Sequence, residues 1–268
     1  VGRAVRWEKG KMTKAVYDAP EYYDIAFSYR DIGAEVDTFE LCFERHAGLP
    51  VKNILEMGCG PSPHMEELLK RGYAYTGLDI NESMLEYSSR RASALPGRAR
   101  FVRADMIGFS LSETFDFAFI ALGSLCARNT EDVFSHFRSV AHVLNEGGLY
   151  LLDWCVHFAP FTERSESWSI ERDGITVTTQ VSEKLVDPVE QLVQETLSLE
   201  VVDDDRVSHL SETSVNRVIF PQEFLQIIER VGEFGFVGWW NNWGLNRPLG
   251  EVKDPGRISR PIILLRRE

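Results

Sequence analysis

The sequence predicts an α/β chain: a mainly parallel sheet with helices on its faces, and a separate antiparallel sheet inserted late in the chain. Three observations carry this. From residue 53 to residue 154, short apolar runs of strand character alternate with helix-period segments, the pattern of repeated β-α-β units. The connection after the first run is Gly58-Cys59-Gly60-Pro61, a glycine-containing turn that leads into a helix. From about residue 165 the period becomes strict alternation, broken at Asp173-Gly174, Asp187-Pro188 and Asp203-Asp204-Asp205, and three turns imply about four antiparallel strands.

The stretch 53–81 organises the rest. Residues 54–57 read as a short buried strand, 64–71 as a helix, and 73–79 as a second strand ending in Asp79. Glycines in the turn let the backbone approach a ligand closely, and the helix behind them offers unpaired N–H groups. A carboxylate at the tip of the second strand is placed to accept hydrogen bonds from a ribose diol. The unit is therefore expected to bind a nucleoside. A dinucleotide fingerprint requires G-x-G-x-x-G, and the register Gly58, Gly60, Pro63 lacks the third glycine.

The remaining elements follow in order. Residues 1–20 show no sustained period and read as an irregular arm. Aromatics spaced by about three and four between Glu21 and Asp31 mark one stripe of a short helix, and a second helix covers about 34–47. Asn81 caps a helix over about 81–94 with Met84 and Leu85 inward. Residues 101–104 form a third strand with Asp105 and Met106 at its tip. Residues 115–120 are near-continuously apolar, as a central parallel strand should be, and open into Ala121, Leu122, Gly123 and Ser124. A helix over 131–144, a turn over 145–148 and a strand over 149–154 come next. Pro221 starts a helix over 221–231 with Phe224, Ile227 and Ile228 inward, and 234–240 and 261–265 supply the last two strands.

Composition narrows the partners. The 268 residues carry a formal net charge of −12, which disfavours an electrostatic grip on a nucleic-acid backbone. Cys42, Cys59, Cys126 and Cys155 lack C-x-x-C spacing, so neither a zinc site nor a disulfide framework is expected, and a reducing, cytoplasmic setting fits. No apolar run is long enough to span a bilayer and no signal-peptide core opens the sequence, so no membrane partner is expected. The chain starts at Val1 and its true start is expected upstream.

Glu56-Met57-Gly58-Cys59-Gly60 followed by Gly77-Leu78-Asp79 resembles the first two motifs of class I S-adenosylmethionine (SAM) dependent methyltransferases. The usual pattern has glycine where this chain has Ser62. The resemblance implies a Rossmann-like seven-stranded methyltransferase sheet ending in an antiparallel hairpin, with SAM as cofactor and S-adenosyl-L-homocysteine as product. Asn145 to Gly148 and the strand after it resemble the superfamily's L-x-x-G-G motif. Tyr23-Asp24 with Ala26 and Tyr29 resembles the lid segment of the small-molecule group that includes glycine N-methyltransferase and the sugar N-methyltransferases. Implied cofactor contacts are Tyr23, Tyr29, Arg30 on the methionine carboxylate, Glu56, Gly58, Cys59, Gly60, Asp79, Ile80, Met84, Asp105 and Met106 at the adenine, and Ala121 and Leu122. The implied organisation is an arm and helical lid over 1–50, a SAM-binding domain over 51–160 and 221–268, and a β insertion over 161–220 that forms either a wall over the acceptor or a dimer surface.

Methyl transfer from a sulfonium is an in-line displacement, which needs alignment and exclusion of water more than acid-base help. His157, just beyond the fifth strand, is the candidate base, against the alternative of a loop histidine bonded to solvent or backbone. His64, at a helix start, has no stronger reading than local polarity. Ser124, Trp154, Trp240, Asn241 and Trp243 are candidate acceptor contacts, although the tryptophans near 240 serve equally as packing beneath the insertion. No metal is expected. The leading expectation is methyl transfer to nitrogen or oxygen of a small-molecule acceptor by a monomer or homodimer. Its alternatives are a SAM-using enzyme that transfers the aminocarboxypropyl chain or cyclises it, and a non-catalytic SAM-binding module.

Overall fold

The computed structural model describes residues 15–158, 163–204 and 206–268. Its central sheet contains seven strands: β1 (Asn53–Met57), β2 (Ala74–Asp79), β3 (Ala99–Arg103), β4 (Phe115–Ile120), β5 (Leu144–Asp153), β10 (Phe234–Trp240) and β11 (Ile262–Arg267). They run in the order β10-β11-β5-β4-β1-β2-β3. The strands from β1 to β5 pair in parallel, whereas β11 is antiparallel to both β5 and β10. Every residue of β4 is buried, as expected of a strand covered on both faces.

Two apolar layers hold helices to this sheet. On one side, α5 (Thr130–Val143) and α6 (Pro221–Val231) bury Phe137, Val140, Phe224, Ile227 and Ile228 against Tyr150, Ile263 and Leu265. On the other, α2 (Ile32–His46) and α3 (Met65–Lys70) set Val36, Phe39, Met65 and Leu68 against Phe117, Phe119, Leu149 and Leu151. Asn129 and Asn81 cap α5 and α4 (Glu82–Ala92), their side-chain oxygens accepting from Asp132 N at 2.9 Å and Met84 N at 3.0 Å.

The insertion is a four-stranded antiparallel sheet, β6 (Arg164–Arg172), β7 (Ile175–Asp187), β8 (Leu192–Asp203) and β9 (Arg206–Arg217), in sequential order. Asp173 (φ 55°) and Gly174 (φ 82°) make the tight first turn. The inner face at the turn end carries Ile170, Val177, Leu199, Val201 and Leu210, which pack on Val16, Ala19, Ile25 and Ala26. Those last four come from a 3-10 turn (Val16–Asp18), α1 (Pro20–Ala26) and the cap residue Ala19 between them.

Three local expectations are corrected. Residues 145–148 belong to β5 as an irregularity within the strand: β4 advances from Phe115 to Phe117 while β5 advances from Leu144 to Leu149. Asn145 Nδ2 donates to Asp116 Oδ1 at 2.8 Å, which ties the extra residues to the neighbouring strand. The first aromatic helix stops at Ala26, where Phe27 leaves helical geometry with its N–H donating to Tyr23 O at 3.2 Å, and α2 starts separately, the Asp31 side chain accepting from Ala34 N at 3.0 Å. Of the arm, residues 1–14 lie outside the described residues, but Val16 and Ala19 are fully buried.

Phe137 has no exposure and its ring meets those of Tyr150, Phe224 and Phe234 at centroid distances of 6.0, 6.0 and 6.2 Å. Phe137→Ala is expected to lower unfolding stability by about 3–5 kcal/mol in denaturant titration.

Candidate active site

The carboxyl ends of β1, β2, β3 and β4 converge on the turn after β1. Gly58 (φ 63°) and Gly60 (φ 50°) take left-handed conformations there, as does Ser62 (φ 53°), so the serine occupies the backbone state for which the resembling motif uses glycine. A Cβ on Gly58 would stand 2.8 Å from Met106 Cε and 3.3 Å from Ser124 Cβ, which brings the tips of β3 and β4 against the turn. Gly60, by contrast, faces open space, with nothing within 4 Å of a Cβ placed on it. Asp79 braces the turn: Oδ2 accepts from Gly60 N and Oδ1 from Asn81 N, both at 2.8 Å. Each oxygen keeps a second acceptor direction. Burial pushes the Asp79 carboxyl up, against the hydrogen bonds it accepts. Ile80, beside it, is 63% exposed, and Asp105 is exposed at the tip of β3. The Met106 carbonyl accepts from buried His136 Nδ1 at 2.7 Å, and burial lowers the His136 pKa to about 4, so this imidazole is neutral. An open glycine, an acceptor-rich carboxylate and an exposed apolar side chain at adjacent strand tips fit a nucleoside.

A buried ionic chain supports the cradle from behind. Glu35 of α2 accepts from Arg30, from His64 Nε2 at 2.9 Å and from Arg260 Nη1 at 2.5 Å. His64 Nδ1 meets Glu56 Oε1 at 2.9 Å, and Tyr75 Oη donates to Glu56 Oε2 at 2.6 Å. Arg260 continues to Asp153 at the end of β5, donating from Nη2 at 2.7 Å and Nε at 3.1 Å. Asp153 also accepts from Leu122 N at 2.8 Å and Trp243 Nε1 at 3.1 Å. Burial would raise Glu35, but the hydrogen bonds from His64 and Arg30 hold it well below the usual carboxylate range. Burial would lower His64, yet the carboxylates of Glu56 and Glu35 outweigh it and raise its pKa above the ordinary 6.5.

Beyond the tips of β4 and β5 lies a cavity of about 850 Å³. Its floor is Leu122 to Cys126 with Trp154 and Cys155, its side the aromatics Tyr17, Tyr23, Phe27 and Tyr29, and its roof the inner face of β6 to β9. Leu122 (φ 56°) and Trp154 (φ 60°) hold strained backbone on the floor, where Asp153 fixes the loop through Leu122 N and through its own carbonyl to Gly123 N at 2.9 Å. Ser124 belongs to both places, lining the cavity and abutting the Gly58 turn.

Residues 54–148 match the family model described as a methyltransferase domain. Over that stretch the chain is similar to methyltransferases. A protein of Bacillus subtilis (strain 168), YqeM, which bears a provisional methyltransferase name, is 34% identical over 112 residues, 40% of this chain and 44% of that protein. A similarly named Geobacillus sp. (strain WCH70) protein is 32% identical over 103 residues, 38% of this chain and 42% of its own. The chain thus spans under half the length of the curated relatives it matches. Among solved structures, Streptomyces venezuelae DesVI superposes with a TM-score of 0.71 at 17% identity over 92% of this chain and 98% of its own. The sugar N-methyltransferase KedS8 of Streptoalloteichus sp. ATCC 53650 gives 0.68 at 20% identity over 100% and 98%. The sheet order with its reversed last strand is the class I SAM-dependent methyltransferase fold, as the motifs implied.

The fold brings most predicted residues together. Gly58, Gly60, Asp79, Ile80, Asp105 and Met106 surround the cradle, while Tyr23, Tyr29, Leu122, Ser124, Trp154 and His157 line the cavity. Ala121 and Cys59 are buried beneath them, with Cys59 Sγ filling the space that a side chain at Gly77 would need. Four expectations change. Glu56 spends both carboxylate oxygens on His64 and Tyr75, so it braces the turn from behind. Arg30 is committed to Glu35, with the guanidinium side chain 3% exposed. Met84 is 1% exposed and its N–H serves the helix cap. Trp240, Asn241 and Trp243 do not line the cavity: Trp240 is core, Asn241 ties Arg257 O and Ser259 N, and Trp243 packs on Phe39 at 5.5 Å.

Protonated His64 lies between two carboxylates, and a raised folded-state pKa contributes stability that is complete below about pH 6.5 and lost as pH rises through the folded value. Thermal unfolding midpoints of the wild type are therefore expected to fall relative to His64→Gln as pH rises above about 6.5. Parallel curves for the two proteins would exclude this role.

Proposed function

We propose that this chain is a SAM-dependent methyltransferase that methylates nitrogen or oxygen of a small-molecule acceptor. The observation that carries the reading is the junction at Ser124, where the nucleoside cradle and the roofed cavity share one wall. Donor and acceptor held on either side of that residue would meet beyond the strand tips, where ligands bind in open parallel sheets.

Gly58, Gly60, Asp79, Ile80, Asp105 and Met106 would hold SAM, which supplies a methyl group activated on sulfonium. The chain's own contribution is alignment and dryness. Asp79 keeps the β1 turn open for the amino-acid end and offers acceptors to the ribose, and Ile80 gives the adenine an apolar face. Tyr23, Phe27 and Trp168 close the cavity with rings at 4.6 and 5.6 Å from one another, which excludes water from the reacting atoms. His157, half-buried on the cavity wall, has its pKa lowered by burial, so its imidazole is neutral near pH 7 and can accept a proton from a hydroxyl or amine acceptor.

The net charge of −12 supports a freely diffusing small acceptor over nucleic acid, and four free cysteines fit a cytoplasmic setting for a monomer or homodimer. No helix among the described residues is long and apolar enough to cross a membrane.

Calorimetry with SAM and S-adenosyl-L-homocysteine is expected to show binding that Asp79→Ala weakens by about tenfold or more, the scale of losing charge-assisted hydrogen bonds. Methyl-labelled SAM is expected to leave its label in the acceptor. Release of methylthioadenosine would instead indicate use of the aminocarboxypropyl chain, and binding without turnover a silent module. Absence of uptake by the wild type would overturn the reading.

A further inference from the structure

Arg30, which the motif resemblance sets on the methionine carboxylate of SAM, spends its guanidinium inside the protein. Nε donates to Glu35 Oε1 at 3.0 Å and Nη2 to Glu35 Oε2, and the side chain is 3% exposed. The other cations near the β1 turn are engaged as well. His64 lies between Glu35 and Glu56, Arg260 between Glu35 and Asp153, and Arg91 on α4 donates to Pro61 O at 2.8 Å. A planar fork closed on a buried carboxylate has no second fork for a ligand, and turning away would strand the anion it leaves.

Backbone donors are equally committed. In the turn, Cys59 N donates to Leu78 O at 3.0 Å, Gly60 N to Asp79 Oδ2 at 2.8 Å and Ser62 N to Cys59 O at 2.8 Å, while Pro61 and Pro63 have no N–H. In the loop after β4, Leu122 N donates to Asp153 Oδ2 at 2.8 Å, Gly123 N to Asp153 O at 2.9 Å and Ser124 N to Ala121 O at 3.3 Å. Behind the turn, the six-residue α3 opens with two carboxylates of its own, Glu66 and Glu67.

Charge gives an independent indication. Arg30, His64 and Arg260 are all held in ion pairs with Glu35, Glu56 and Asp153. Asp79, at the cradle itself, is in no ion pair among the described residues: its oxygens accept backbone N–H groups, and the Glu56 carboxylate adds to its negative surroundings. A ligand carboxylate entering here meets an uncompensated anion and committed donors, whereas an ammonium or sulfonium meets an attractive field strengthened by burial.

We infer that the cradle recognises its ligand by nucleoside and positive charge, with the amino-acid carboxylate unread, so that decarboxylated SAM, an adenosyl sulfonium bearing a primary amine, is taken as readily as SAM. The inference rests on the cradle being the SAM site, and it deepens that reading by naming a second class of ligand for it.

Four thioethers of adenosine test it by calorimetry with the purified chain. S-adenosyl-L-homocysteine carries amine and carboxylate, its decarboxylated form the amine alone, its deaminated form the carboxylate alone, and methylthioadenosine neither. The decarboxylated form is expected to bind within about threefold of S-adenosyl-L-homocysteine or more tightly, and the deaminated form about tenfold or more weakly. The deaminated form is also expected to bind no more tightly than methylthioadenosine. Arg30→Lys is expected to lower the unfolding midpoint, because the bidentate pair with Glu35 is lost, and to leave the ratio of the first two affinities as in the wild type. A decarboxylated form that binds about tenfold or more weakly than S-adenosyl-L-homocysteine overturns the inference and leaves the methyltransferase reading standing. A ratio that moves towards the amine in Arg30→Lys overturns it too, since only a guanidinium on the ligand carboxylate gives that shift. Uptake of none of the four overturns the reading on which the inference rests.

Discussion

The carboxylate of Glu35 receives hydrogen bonds from Arg30 ahead of α2, from His64 at the start of α3, and from Arg260 just before the last strand. Three segments far apart in sequence are thereby locked to one buried anion. Extending the chain through Glu56 reaches β1 and β2, and extending it through Arg260 reaches Asp153 and the loop after β4. A buried ion pair is costly to assemble, and removing one partner strands the other charge at about 3–5 kcal/mol. The arrangement therefore tolerates little variation in the relative placement of α2, the β1 turn and the β10–β11 connection. That rigidity sets the distance between the nucleoside cradle and the strained floor of the cavity.

The two halves of the site are built by different physics. The cradle is backbone: left-handed turn residues, strand-tip amides and one bracing carboxylate. The cavity is side chain: aromatic walls from the N-terminal segment and a roof from a sheet that shares no ladder with the central one. The N-terminal segment is fastened to that roof. Trp168 Nε1 donates to Ala26 O at 2.7 Å, and Arg172 bonds Asp24 at 2.8 Å, which places α1 as a fixed side wall between the inserted sheet and α4, where Tyr87 bonds Asp24 at 3.3 Å.

The fold was legible because its signals are local. Alternating strand and helix periods, the Asn81 cap, Pro221 and the Asp173-Gly174 turn each declare themselves within a few residues, whereas the seven-stranded sheet with its reversed last strand was implied by the motif resemblance. The cradle was legible for the same reason, since Gly58, Gly60 and Asp79 sit in one β-α-β unit. The tryptophans near residue 240 misled because an aromatic cluster looks the same in sequence whether it lines a cavity or fills a core. Glu35, Asp153 and Arg260 gave no signal, as their partners lie across the chain and a lone charged residue reads as surface. One cue was present. On β7, β8 and β9 the inward phase set by Val177, Leu199 and Leu210 continues into Glu183, Glu195 and Glu212, and a break in polarity at constant phase marks where a sheet stops packing on protein and starts facing something else.

Among the described residues the two sheets share no ladder of backbone hydrogen bonds. Exchange of an inward residue on the roof alters only what hangs into the chamber, because the ladder that carries it belongs to the inserted sheet alone and the phase of its neighbours is untouched. Such a ceiling can drift in chemistry, one alternate position at a time, while the β1 turn and the strand tips below stay constant. On the proposed reading, a chain with this plan is free to take a new acceptor while the cradle that would hold the donor is left as it is.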